Sequence, residues 1–191
     1  MNISTQQLTI SVPITEANRN KAKQFAQQQS DSEKSLQVYH NTLAVLVTNN
    51  YLQMLDVQTS LQQSHSWNAV VRVSTNIADL NLPGKGHLEC RAILKGDDNC
   101  YFPQDVWNNR IGYVVVQLDE SCKQGTLLGF LPQVSRNTIN IRELQSLDDL
   151  FIALHSNETV VQLSQWLENI IDESWRSVEA IIGKKEINPL F

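Results

Sequence analysis

The sequence predicts an α+β fold: an antiparallel sheet of about four to six strands, packed against a long central helix and followed by a C-terminal helix. Three observations carry this expectation. The stretch from Ser30 to Asp56, SDSEKSLQVYHNTLAVLVTNNYLQMLD, repeats apolar residues at helical spacing on two sides. Leu88, Cys90, Ala92 and Leu94 alternate with His87, Glu89, Arg91, Ile93 and Lys95, the pattern of a strand with one buried and one mostly wet face. Pro83-Gly84-Lys85-Gly86 is a turn sequence that would join this strand to Leu80–Leu82 as a hairpin.

The elements follow in chain order. Leu8, Ile10 and Val12 alternate with Thr9 and Ser11 as a first strand, which Pro13 stops. Thr15 precedes a helix with a thin apolar side, Ala17, Ala22, Phe25 and Ala26, reaching about Gln29. In the central helix Ser30 stands three residues before Glu33, the spacing of a capping box. Tyr39, Leu43, Leu46, Val47 and Met54 form its main stripe, with Val38, Val45 and Leu52 on the reverse side. A helix apolar on two sides is covered on two sides, which places it between the sheet and another helix. Asn50 within the stripe reads as a buried amide. The run Ala69 to Val73 reads as a strand beginning near Trp67. Gly96-Asp97-Asp98-Asn99 is a second turn, and Gln104 to Asn108 a single helical turn carrying Trp107. Gly112 to Leu118 and Thr126 to Leu131 are apolar on both faces and form a central antiparallel pair. Ser146 caps a short helix, and Ser164 the last one, whose stripe includes Leu167, Ile171, Trp175, Val178 and Ile182. Residues 1–183 are expected to form a single domain, with 184–191 a short tail.

Composition narrows the function. The chain has 191 residues and a formal charge of -5, enough for one domain with a substantial core. Residues 1–54 hold four basic and three acidic residues, 55–137 seven and eight, and 138–191 four and nine. The excess acid at the C-terminal end argues against a nucleic-acid surface, which needs clustered Lys and Arg. No apolar run approaches the roughly 18 residues of a membrane span, and the first residues lack the basic and apolar regions of a secretory signal. Cys90, Cys100 and Cys122 make an odd count without a CxxC pair, which suits a reducing cytoplasm better than a disulfide framework.

No catalytic signature accompanies this fold. His87 with Cys90 and Cys100 is the best metal combination by residue type. Zinc wants four converging ligands, whereas His87 and Cys90 point to opposite faces of a regular strand. A metal site is therefore not expected, and no cofactor is. His40, His65, His87 and His155 show no metal-like spacing; only the fold could bring them together. Gly96-Asp97-Asp98-Asn99 resembles the start of a calcium loop but lacks its closing glutamate. His87, Glu89 and Arg91 share one strand face, and a histidine beside a carboxylate can act as a general base. The plainer reading is an exposed polar face, because no nucleophile or glycine-rich loop accompanies them. On the last helix Glu168, Asp172 and Glu179 line one flank near Trp175, with Trp166 off the main stripe. This flank is either a solvated face or a docking surface for a basic partner.

Several phrases, in order, resemble a known family: QVYHNTLAVLVTNNYLQML, SWNAVV, LECRAI, DVWNNRIGYVVVQLDE, TLLGFLP and LSQWLENIIDESW. The family is cyanobacterial and catalogued as domain of unknown function 1822. The resemblance runs from about Leu8 to Ile182 and transfers no activity, cofactor or catalytic residue. It implies that members are often longer, with a β-rich segment after the tryptophan-containing helix, so that this chain is a short member or an N-terminal piece. A C-terminal segment of a longer member is then a second possible partner. The resemblance also implies that some members are encoded near regulatory genes, including those of sigma factors and sensor proteins. Together these readings lead to the expectation of a non-catalytic, cytoplasmic protein-interaction or regulatory module. The alternative is an enzyme whose site is assembled only in the fold, around His87, Glu89 and Arg91.

Overall fold

The computed structural model describes residues 9–155. The expected C-terminal helix, with Trp166, Glu168, Asp172, Trp175 and Glu179, lies outside the described residues, as does the tail 184–191. The order is β1 (Ile10–Pro13), α1 (Glu16–Ala26), α2 (Ser32–Met54), α3 (Ala69–Ser74), β2 (Asp79–Leu82), β3 (Gly86–Leu94), β4 (Asn99–Tyr101), β5 (Gly112–Leu118), β6 (Gln124–Leu131) and β7 (Thr138–Asn140). A further helix begins at Leu147. One five-stranded sheet has the order β1-β6-β5-β3-β2, and β4 pairs with β7 in a small second sheet. The fold class is α+β. No described helix is long and apolar enough to cross a membrane.

The α2 helix is the organising element. Its residues from Asn41 to Asn49, together with Leu52, are buried, because α1 covers one side while β3, β5 and β6 lie under the other. Leu43, Val45 and Val47 are fully buried, as are Cys90, Val114, Val116 and Leu118 on the sheet. Close approach is helped by Gly125 in β6, where a Cβ would come 2.7 Å from Val47 Cγ2. The opposite face of the sheet is covered by the chain between β3 and β5 and by β7. There Ile93, Tyr113 and Val115 pack with Cys100, Phe102, Val106, Val134, Ile139 and Leu144.

Local chemistry sets the helix ends. Thr15 accepts the Asn18 N–H at 3.2 Å, as its position predicts. The α2 cap is Asp31, whose Oδ1 accepts the Lys34 N–H at 2.7 Å, one residue beyond the expected Ser30 box. An ionised cap also interacts favourably with the positive end of the helix. Asn41 and Asn49, not Asn50, are the buried amides of α2; Asn49 Oδ1 accepts the Thr59 hydroxyl at 2.8 Å.

Three expectations are corrected. The stretch after Trp67 is helical, not a strand: Asn68 Oδ1 accepts the N–H groups of Val70 at 2.9 Å and Val71 at 3.3 Å. That cap, together with the inward Arg72, overrides the β-preference of Val70, Val71 and Val73. The sheet is mixed. β1–β6, β5–β6 and β2–β3 are antiparallel, but β3 and β5 are parallel. Residues 95–111 cross over a sheet face between them, since parallel neighbours require a long connection. The third correction concerns β3: Glu89 and Arg91, expected on a wet face, are buried because that crossover lies over them.

Replacement of Leu43 by Ala is expected to cost about 2–5 kcal/mol. Urea denaturation measures it, and a loss well below 1 kcal/mol would show that α2 is not the core helix.

Candidate functional site

The hairpin register builds the site. Asp79 stands opposite Glu89 and Asn81 opposite His87, so all four side chains lie on one face, with Arg91 two residues further along. His87, Glu89 and Arg91 thus do share a face, as the alternation predicted. Asp79 and Glu89 are fully buried, and His87 is only partly exposed.

Glu89 is held on every side. Its Oε1 accepts the Ala78 N–H at 2.8 Å and pairs with Arg91 Nη2 at 2.7 Å. Its Oε2 accepts Arg110 Nε–H at 3.0 Å. Arg91 Nη2 also donates to the Asn76 carbonyl at 2.5 Å, and Arg110 Nη1 to that of Asn109 at 3.1 Å. Two carboxylates and two guanidinium groups are therefore buried together with no net charge, the condition under which buried ions are tolerated. Arg91 Nε and Nη1 and Arg110 Nη2 are buried without a hydrogen-bond partner.

Asp79 sits under a short turn at His65–Trp67. The chain after α2 runs along the outer edge of β2, where Ser60 N–H donates to the Asn81 carbonyl at 2.9 Å and Asn81 N–H to Ser64 Oγ at 2.8 Å. This lays the turn over Asp79. Oδ1 accepts the Ser66 N–H at 2.8 Å, Oδ2 accepts the His65 N–H at 3.2 Å, and Ser66 Oγ donates to the Asp79 carbonyl at 2.7 Å. Arg72 braces the turn from behind. Its Nη1 donates to the Ser66 carbonyl at 2.7 Å, Nη2 donates to Gln28 Oε1 at 2.6 Å, and the guanidinium lies over the Phe25 ring. Burial works to raise the Asp79 pKa. The Ser66 and His65 amides, with the electrostatic pull of the His65 ring and of Arg110, outweigh it and hold the carboxyl below its ordinary value.

Two imidazoles converge on Asp79 Oδ2, His87 Nδ1 at 2.6 Å and His65 Nδ1 at 2.9 Å. Their rings stack at 4.2 Å between centroids, 15° from parallel. His65 was not singled out in sequence, because it comes from an irregular segment without periodicity. Asp79 was legible in principle: extending the hairpin pairing back from Pro83-Gly84-Lys85-Gly86 puts it opposite Glu89.

Cys90 and Cys100 stand apart from this cluster. Cys90 faces α2 and Cys100 the other core, in line with the odd spacing from His87. All three cysteines are free and buried. Burial pushes the Cys90 thiol up and the Cys100 thiol up to about 12.

A family model described as a protein of unknown function, DUF1822, matches residues 12–189. The chain belongs to this family. No curated protein and no solved structure matches the DUF1822 chain. Its family therefore names no reaction for the buried charge cluster, whose own geometry is that of a sealed, neutralised network.

Removing one ion of such a network leaves the others unpaired. Glu89→Ala in the DUF1822 protein is expected to destabilise it by about 3–5 kcal/mol. Removing Arg136, exposed and paired with Glu143, should cost roughly 0–1 kcal/mol. Equal losses in denaturant melts would show that the Glu89 network is not a buried one.

Proposed function

We propose that this domain is a non-catalytic protein-interaction or regulatory module that works in the cytoplasm. The observation that carries the reading is an open groove between the first half of α2 and the far end of β3. Leu36, Leu94 and Tyr101 line it while 57%, 40% and 53% exposed. Large apolar groups left in water around one depression are a feature of association surfaces. Glu33 and Asp97 sit on the same lining, whereas Arg91, also there, is bound to Glu89. The partner that fits is an apolar protein segment flanked by basic residues. The acidic flank Glu168, Asp172 and Glu179, with Trp166 and Trp175, belongs to the same proposal as a second basic-partner surface. A cyanobacterial origin, and a role for the C-terminal segment of a longer member as partner, are parts of it too.

The alternative is an enzyme built on His87, Glu89 and Arg91. The burial of Glu89 and Arg91, and their bond to one another, weigh against it, since a general base must reach its substrate.

The test uses a protein that co-purifies from the native cell, then titrated against the isolated chain. Leu36→Asp is expected to weaken binding by at least roughly tenfold, about 1.4 kcal/mol, without changing the melting temperature. Val70→Asp, at an exposed apolar residue outside the groove, should leave it unchanged. Added salt should weaken the wild-type complex. Equal binding by both variants would refute the groove as the partner surface.

A further inference from the structure

His65, Asp79 and His87 each present a ligand atom of the metal-binding type, all within 4.8 Å of one another, and both histidine Nδ1 atoms lie against Asp79 Oδ2. We propose that these three residues bind a divalent first-row transition ion of the zinc class, through both Nδ1 atoms and Asp79 Oδ2. The proposal is independent of the groove.

The donor set selects the ion. Two imidazoles and one carboxylate suit zinc and its neighbours, whereas calcium and magnesium take oxygen ligands. Three protein ligands leave one position open, as in zinc sites that keep a water or exchange a ligand. The carboxylate is already fixed for a single-oxygen bond: the Ser66 amide occupies Oδ1, and Oδ2 faces the histidines. Such supporting bonds orient metal ligands and tune their strength. The positive charge of Arg110 is nearby but is directly paired with Glu89.

Asn81 supplies a second, independent observation. Its Nδ2 lies 3.3 Å from His87 Nε2, which fits a ring that carries its proton on Nδ1 and gives it to Asp79. Its Oδ1 is buried without a partner. A metal on Nδ1 moves the proton of the neutral ring to Nε2. Turning the Asn81 amide over then brings the orphan Oδ1 to accept that proton. One side chain thus serves both tautomers.

The present spacing is that of hydrogen bonds, 2.6 and 2.9 Å. Donors around a tetrahedral zinc at 2.0–2.2 Å lie about 3.4 Å apart, so the two contacts must lengthen by roughly 0.5 Å at His65 and roughly 0.8 Å at His87. Parallel rings also aim their lone pairs side by side. His65 has the room to move: its side chain is 49% exposed, against 21% for His87. Ion binding should therefore swing His65 outward and break the ring stack.

The experiment titrates zinc chloride into the chelator-treated full-length chain by calorimetry, with cobalt(II) as an absorbing substitute. We expect about one equivalent bound, with affinity reduced at least roughly tenfold in His65→Ala and Asn81→Ala and unchanged in His40→Ala. Long-range ¹⁵N NMR of the wild type gives a readout that does not depend on any variant folding. Nδ1 of His65 and His87 should shift on zinc addition, and the His87 proton should move to Nε2. Absence of binding, undiminished affinity in His65→Ala, or zinc shifts confined to other histidines would each overturn the proposal.

Discussion

The structure depends on burying opposite charges together where β2 pairs with β3. Asp79 and Glu89 face each other across the ladder, and both are removed from water. Two carboxylates placed so close would be intolerable if left alone. Arg91 and Arg110 neutralise one side of the arrangement, and the amides of the His65–Trp67 turn satisfy the other. The consequences reach well beyond the strand pair. Arg110 is drawn in from the crossover that precedes β5, so the network pins the connection that makes β3 and β5 parallel. Arg72, through Ser66, ties the same turn to α1 and the Phe25 ring. Four separate segments are thus referred to one hairpin.

This explains which parts of the fold were legible in the sequence. Residue patterns reported what each segment does with its own neighbours. The α2 stripe from Leu43 to Val47, the helix after Thr15, the hairpin at Pro83-Gly84-Lys85-Gly86 and the β5–β6 pair appeared where periodicity and turn chemistry placed them, whereas Met54, read as part of that stripe, is 74% exposed. What the patterns could not convey was the far side of the sheet. Alternation in β3 distinguishes two faces, and polar residues on one of them ordinarily mean water. Here they mean a buried network, because the crossover from residue 95 to 111 lies over them. The same long connection turned an expected antiparallel neighbour into a parallel one. Around Val70 to Val73 the β-branched residues spoke for a strand, while a single capping asparagine and an anchored arginine decided for a helix.

The candidate site was legible by halves. His87, Glu89 and Arg91 were correctly placed on one face, since that follows from strand parity alone. His65 and Asp79 were missed: one comes from a loop without period, and the other stands just before the segment read as a strand. The surface divides accordingly. One face of the hairpin is closed by ion pairs, and the two stacked imidazoles reach outward from it. Along α2, Leu36 and Tyr101 remain in water beside the end of β3.

The central claim is that Glu89 and Arg110 hold each other in place inside the fold. A double-mutant cycle with Glu89→Gln and Arg110→Met, read by urea unfolding, measures this directly. Residues joined in one buried network should show a coupling of about 1–3 kcal/mol, the double variant losing much less than the two single losses combined. Additivity within about 0.5 kcal/mol would contradict the account, because each side chain would then be stabilised without the other.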